Sequence, residues 1–233
     1  MSKRHLKSMA APKSWPIERK TNYWITRPNP GAHSLDRSMP ITLILKLLKY
    51  AEITKEVKQL INQRKVLVNG VPVKEIKFPA GLFDVISFTG TEEAYRIVLN
   101  KVGKLTLKKI NKTEVNIVPQ KIVRKTMLKS GKLQLNFENG YNLIIKDNKY
   151  NTNDVLVVEK NTVKQHIPFE KGSIVYIVKG KRLGQLGKIS EIHKGVELGK
   201  QVQVEVDKNK FSIPKTHVFV IGKEKPIISL DEK

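Results

Sequence analysis

Apolar residues in this chain recur with a helical period in one short region and with a strand period almost everywhere after it. Between residues 40 and 51, Ile41, Ile44, Leu45, Leu47 and Leu48 surround a polar face of Thr42, Lys46 and Lys49. That spacing predicts an amphipathic helix with Pro40 in its first turn. Thr54 stands where a second helix would be capped, followed by Val57, Leu60 and Ile61 at i, i+3, i+4, with Lys55, Lys58 and Arg64 facing outward. "VLVNGVPV" (residues 66–73) predicts two short strands around Asn69-Gly70, a pair that tolerates the positive φ of a tight hairpin. Residues 79–88 add a turn and another strand.

From there to about residue 168 the period is two. "YRIVLN" and "KLTLKKI" read as strands joined near Gly103. "KLQLNFENGYNLII" alternates Leu133, Leu135 and Phe137 before a second turn at Asn139-Gly140, and "DVLVVE" and "TVKQHIPF" follow. Short strands separated by turns predict a barrel or small sandwich. The expected fold class is α+β, mostly β. Its four modules would be an N-terminal extension (1–37), a helix pair with a small sheet (38–92), a central β domain (93–168) and a final β module with its tail (169–233).

Residues 1–37 have no sustained period. They interleave Arg4, His5, Lys7, Lys13, Arg19, Lys20, Arg27 and Arg37 with Trp15, Tyr23 and Trp24, punctuated by Pro12, Pro16, Pro28, Pro30 and Gly31. Such a segment cannot build a core of its own and must fold against something else. Its tryptophans can be read as packing anchors or as rings that stack on unpaired bases.

Charge then narrows the partner. The chain has 233 residues, with 44 Lys+Arg against 21 Asp+Glu and a formal net charge of +23. Self-repulsion of that size works against a compact state, so a polyanion is the natural counterpart. The longest apolar-rich stretch, "ITLILKLLKYA", is interrupted by Lys46 and Lys49 and is too short to span a bilayer, which leaves nucleic acid ahead of a membrane. There is no cysteine, hence no disulfide, thiolate zinc site or thiol nucleophile. The N-terminus lacks the apolar core of a secretory signal, so an intracellular, cytoplasmic protein is expected.

"GSIVYIVKGKRLGQLGKIS" (residues 172–190) sets Gly180, Gly184 and Gly187 among Lys179, Lys181, Arg182 and Lys188. A phosphate-binding P-loop needs G-x-x-x-x-G-K-[ST], but Arg182 stands at the first glycine and Ile189 at the hydroxyl position. The G-x-G-x-x-G dinucleotide spacing is also absent. Glycines in tight barrel turns and lysines against a phosphate chain remain, and the two are compatible. His5, His33, His166, His193 and His217 are scattered without a pair at i, i+4, so zinc finds no support. "HSLDRS" is faintly similar to a pseudouridine-synthase motif with Asp36 as nucleophile, but its flanks differ and it precedes the helix pair. No enzyme, cofactor, metal or small-molecule substrate is expected.

The helix pair followed by "QRKVLVNGVPV" and "PAGLFDVI" resembles the small S4 RNA-binding fold. "KGSIVYIVKGKRLGQLGKI" resembles a KOW motif, a strand-loop-strand unit of an SH3-like barrel. "HLKSMAAPKSWPI", "RPNPGAHSL", "PAGLFDVIS" and "FVIGKEKPIISL" are similar, in order along the whole chain, to the small-subunit ribosomal protein S4e family of archaea and eukaryotes, the archaeal members more closely. The resemblance implies a structural, non-catalytic component of the small ribosomal subunit, bound to its ribosomal RNA and to neighbouring proteins. It also implies that Lys55, Lys58, Arg64, Lys65, Asn69 and Gly70 face RNA from the S4-like module, and Lys179, Gly180, Lys181, Arg182, Gly184, Gly187 and Lys188 from the KOW loop. Arg4, His5, Lys7, Lys13, Trp15, Arg19, Lys20 and Arg27 complete the candidates. Removing 1–37 should then weaken RNA binding and leave the rest folded. The other class kept open is a KOW-type RNA- or transcription-associated factor outside the ribosome.

Overall fold

The computed structural model describes residues 4–129, 131–146, 148–159, 162–193, 201–206 and 209–230. Residues 1–3 and 231–233, the ends of the first and last expected modules, lie outside the described residues. The described chain forms two compact units, one of residues up to 98 with 103–116, the other of 99–102 with residues from 117 onward. Among the described residues no helix is long and apolar enough to cross a membrane.

The first unit opens with a ribbon of β1 (Leu6–Lys7) and β2 (Trp24–Ile25), antiparallel with Leu6 opposite Ile25 and Lys7 opposite Trp24. After β3 (Ser38–Pro40) come α1 (Ile41–Leu47) and α2 (Thr54–Asn62). The strands β4 (Val66–Val68), β5 (Val71–Pro72), β6 (Pro79–Gly81), β7 (Val85–Phe88), β8 (Ala94–Leu99) and β9 (Leu105–Ile110) follow. β3 pairs with β6, and the others form a five-stranded sheet ordered β5-β4-β7-β8-β9. Asn69 and Gly70 take φ of +50° and +78°, the left-handed pair that the β4–β5 hairpin needs.

Both helices differ from their expected ends. Pro40 is extended in β3 (φ −67°, ψ 141°), so α1 begins one residue later, and it stops at Leu47. Lys49, at φ +60°, turns the chain there, while the Tyr50 amide donates to Leu45 O at 3.1 Å. Thr54 lies inside the first turn of α2, because Glu56 Oε2 accepts the Glu52 and Ile53 amides at 2.8 and 3.3 Å and takes over the capping. α2 ends as α1 does, with Arg64 at φ +54° and the Lys65 amide donating to Leu60 O at 3.1 Å.

The extension folds against its own neighbours. Trp15 is 1% exposed and its indole Nε1 donates to Ser38 O at 2.7 Å. The Leu105 amide donates to Ser14 O at 2.7 Å. Asp84, also buried, receives the Gly81 amide and the Asn69 side-chain amide at 2.8 Å each, and His33 Nε2 lies 3.0 Å away. A Cβ on Gly81 would fall 2.2 Å from the His33 ring, so only glycine lets the "GAHS" and "PAGLFDV" segments meet. These contacts tie residues 1–37 to Ser38, Leu105 and Asp84, so the extension is packed on the rest of the unit and its removal would strip those partners.

In the second unit, β10 (Pro119–Met127), β11 (Leu133–Phe137), β12 (Asn142–Ile145), β13 (Val155–Glu159) and β14 (Thr162–Ile167) form a sheet ordered β12-β11-β10-β13-β14. β10 serves two partners, β13 through Pro119–Lys121 and β11 through Ile122–Met127, with an irregularity between Ile122 and Arg124 where it bends. Ile122, Leu133, Leu135, Phe137, Leu143 and Leu156 make its core. The strands β15 (Ile174–Ile177), β16 (Leu186–Ile192), β17 (Gln201–Val206), β18 (Asn209–Pro214) and β19 (Val218–Gly222) form a second sheet ordered β18-β17-β16-β15-β19. Lys121, 4% exposed, ties the two sheets by donating to Lys215 O at 2.9 Å and Val218 O at 2.7 Å. The mostly-β expectation therefore holds, with two α-helices among the described residues.

Candidate nucleic-acid interface

On the first unit, Arg4, Arg27, Pro28, Asn29, Pro30, His33, Leu35, Ser38 and Lys77 line an open cleft of about 820 Å³. The fold brings them together because β3 and the "RPNPG" turn run beside the segment entering β6. The Asn29 amide donates to Lys77 O at 2.9 Å, and a Cβ on Gly31 would meet the Pro79 ring at 2.7 Å. A second cleft of about 260 Å³ shares Asn29 and Lys77 and adds Lys58, Ile61, Asn62, Lys74, Glu75 and Ile76. Five cations thus border one stretch of surface: Arg4, Arg27, Lys58, Lys74 and Lys77. Its carboxylate, Glu75, accepts a hydrogen bond from Asn29 Nδ2 at 2.5 Å. The lining of the larger cleft, among the described residues, holds no acid. Such a surface attracts a chain of phosphates and gains by releasing its counterions.

Of the residues picked from sequence, Arg4, Arg27 and Lys58 fall on this surface. Lys74 and Lys77 were missed, because "VKEIKF" reads as charge-mixed until Asn29 is seen to engage Glu75. His5 and Lys7 sit on the β1–β2 ribbon, and Lys13 and Lys20 are exposed on the extension. Lys55 is exposed in the first turn of α2, while Arg64 and Lys65 are exposed just beyond its end.

Several candidates are committed to the fold instead. Trp15 is corrected outright, since a buried indole bonded to Ser38 O presents no face to a base. The Arg19 guanidinium donates to Ala11 O at 2.8 Å and Pro12 O at 2.7 Å, so it pins the extension's own backbone. Asn69 donates to Asp84 and accepts the Val85 amide at 2.9 Å, which orients the hairpin. Gly70 is open, with nothing near its missing Cβ.

The stretch from the loop after β15 into β16 divides likewise. Lys179, Gly180 and Lys181 are exposed, and Gly180 (φ +108°) faces open space. Gly184, at φ +79°, would place a Cβ 2.5 Å from Asn100 O, and Gly187 would place one 2.4 Å from Val204. Those two glycines admit neighbouring chain. Arg182 lies 4.4 Å over the Phe211 ring. Lys188 joins Lys171 and Lys223 around a hollow of about 340 Å³ that also carries Glu170 and Glu224.

Glu93, Lys109 and Tyr50 are electrostatically coupled. Hydrogen bonds from Lys109 (2.5 Å), then from Tyr50, hold the Glu93 carboxyl down at about 2 despite some desolvation. Burial, then the bond to Glu93, raises the Tyr50 hydroxyl above the usual tyrosine range. This is a structural clamp, with Tyr50 stacked 4.1 Å from Phe88. No group of His, Asp or Glu suited to a metal ion occurs among the described residues.

The comparisons with known proteins agree along the length of the chain. The RS4NT (NUC023) domain model matches residues 2–36, the S4 domain model 39–86 and the model of ribosomal family S4e 91–165. A small ribosomal subunit protein eS4 from Methanocaldococcus jannaschii is 40% identical, with 98% of each chain covered. The chain belongs to the ribosomal S4e family. Another S4e relative, the eS4 protein of Methanococcus maripaludis strain S2, is 37% identical with 98% of each chain covered. That of Nanoarchaeum equitans is 44% identical over 82% of this chain and 83% of its own. The crystal structure of the 30S ribosomal protein S4e from Thermoplasma acidophilum matches with a TM-score of 0.69 at 31% identity, covering 81% of this chain and 96% of that one.

Proposed function

We propose that this S4e protein is a structural constituent of the small ribosomal subunit that binds and braces ribosomal RNA. The observation that carries the reading is a five-cation surface on the S4-domain unit of a chain whose relatives over 98% of its length are small-subunit proteins. The mechanism is phosphate neutralisation with recognition of shape, since A-form RNA hides its base edges in a deep, narrow groove. Arg4, Arg27, Lys58, Lys74 and Lys77 would carry it on the first unit, with Lys55, Arg64 and Lys65 beside them. Lys179, Lys181 and Lys188 would add contacts from the second. Linked weak sites on one chain raise avidity without new contacts. Neighbouring small-subunit proteins are the expected further partners, and the ribosome the place. No catalytic step is assigned.

The finer architecture belongs to the same proposal. Five antiparallel strands in the order β18-β17-β16-β15-β19, with a glycine- and lysine-bearing loop after β15, support an SH3-like barrel carrying a KOW motif. The four modules bounded near residues 37, 92 and 168 are proposed as the units of RNA docking. The factor outside the ribosome is not favoured, because the likeness to small-subunit proteins runs from end to end.

Binding of purified chain to small-subunit RNA across a salt series tests the mechanism. A steep log–log slope is expected, and the double change Arg27→Ala, Lys77→Ala should lower it by about two. A flat slope would sink phosphate neutralisation. Co-sedimentation with small subunits through a high-salt wash tests the assignment itself.

A further inference from the structure

We infer that the outer face of the β1–β2 ribbon is a stacking platform for an unpaired RNA base, with Trp24 as its floor. The inference rests on the ribosomal RNA reading above and deepens it. Strand alternation puts Leu6 and Ile25 opposite one another on the inner face, where Leu6 is 7% exposed. Lys7 and Trp24, the next pair, therefore share the outer face, as does His5 two residues before Lys7. Trp24 is 56% exposed and Tyr23 63%. Their rings meet edge to face with centroids 4.9 Å apart at 87°, and the His5 ring stands 5.7 Å from Trp24 at 57°. Lys7 Nζ lies 5.0 Å over the Tyr23 ring. The indole thus touches the Tyr23 and His5 rings and keeps more than half of its surface exposed.

The chemistry of the ribbon selects the occupant. Residues 4–9 and 20–27 carry Arg4, Lys7, Lys20 and Arg27 and no acid. A rim of cations around an exposed aromatic fits a ligand that offers a π-face and a phosphate together. An unpaired nucleotide does so, whereas a duplex keeps its base faces stacked inside. Arg4 and Arg27, beyond the two ends of the same strands, also line the large cleft, so a strand leaving the platform meets cations at once. Trp15 makes the contrast within one segment: its indole is spent on Ser38 O, and that of Trp24 is displayed.

The test uses the full chain, a single-stranded oligoadenylate of about eight nucleotides and a blunt RNA duplex of matched charge. Oligoadenylate should quench tryptophan emission, and the quench should vanish in Trp24→Phe. Affinity for it should fall in the order Trp24, Trp24→Phe, Trp24→Leu, by roughly ten-fold or more at Leu, with the melting temperature unchanged. Duplex affinity should move by less than about two-fold, because phosphate contacts are kept. Equal loss on both RNAs overturns the platform, as does no loss on either. If the wild-type chain binds small-subunit RNA steeply with salt while Trp24→Leu binds oligoadenylate as tightly as wild type, only the platform falls. If the wild type binds no RNA at low salt, the underlying reading falls with it.

Discussion

In the extension nothing periodic announces a structure, yet Trp15, Leu6, Ser8 and Ala11 are all buried there. Between Lys179 and Lys188, from the loop after β15 into β16, three glycines and four cations announce a motif, yet Gly184 and Gly187 face neighbouring chain and Arg182 covers Phe211. The segment without a pattern supplies a core plug and an open aromatic face, and the segment with one spends much of it on packing. A sequence motif records what a backbone must do to close a turn. Surface chemistry is recorded only in which side chains the fold leaves over.

The largest effect that could break this comparison is at Trp15. Trp15→Ala should cost about 3–5 kcal/mol in urea unfolding, as expected for a buried aromatic deleted from a packed site. Trp24→Ala should cost less than about 0.5 kcal/mol, the range of an exposed position. Equal costs would mean that the extension is a single docked strap with no division of labour. Next comes the loop. Gly184→Ala combines a positive φ with a Cβ against the Asn100 carbonyl and should cost about 3 kcal/mol, whereas Gly180→Ala, in open space, should cost about 1–2 kcal/mol. Neither should alter the salt slope of RNA binding. A lowered slope in Gly180→Ala at full stability would return that glycine to the RNA surface.

A smaller effect sharpens the comparison at the helix ends. Lys49 and Arg64 occupy left-handed positions that glycine usually fills, at φ +60° and +54°. An L-residue there is strained by about 1–2 kcal/mol, partly offset by a cation's attraction to the helix C-terminus. Arg64→Gly should therefore leave stability equal or raise it by up to about 1 kcal/mol, while the RNA salt slope falls by about one. A clear loss of stability with an unchanged slope would make Arg64 a cap and nothing more.

The strands and the α+β class were legible because period-two alternation and Asn-Gly turns are local signals. The β4–β5 hairpin lies where residues 66–73 place it. The helix ends were not legible, since Ile53 rather than a Ser, Thr, Asp or Asn stands at the start of α2 with Glu56 doing the capping, and the reversal at Lys49 is made without the glycine that usually marks one. The basic surface was half legible. Arg4, Arg27 and Lys58 stand out by charge alone, but Lys74 and Lys77 gain their meaning only when Asn29, far off in sequence, engages Glu75. The roles of Trp15 and Trp24 could not be told apart at all, because burial is decided by partners such as Ser38 that no window around either residue contains.

The smallest effect concerns pH, and it separates the clamp at Glu93 from the RNA surface. The folded carboxyl sits at about 2, below its unfolded value near 4.5, because Lys109 and then Tyr50 hydrogen-bond its charged form. A depressed carboxylate adds stability that is fully present above the unfolded value and is lost as pH falls through the folded one. The stability difference between wild type and Glu93→Gln should therefore be constant at neutral pH, shrink from about pH 5 downward and disappear near pH 2. RNA affinity at neutral pH should be the same in both, since Glu93 lies outside the cationic clefts. A difference that instead widens in acid would reverse the sign of the coupling and place the stabilising charge on another group.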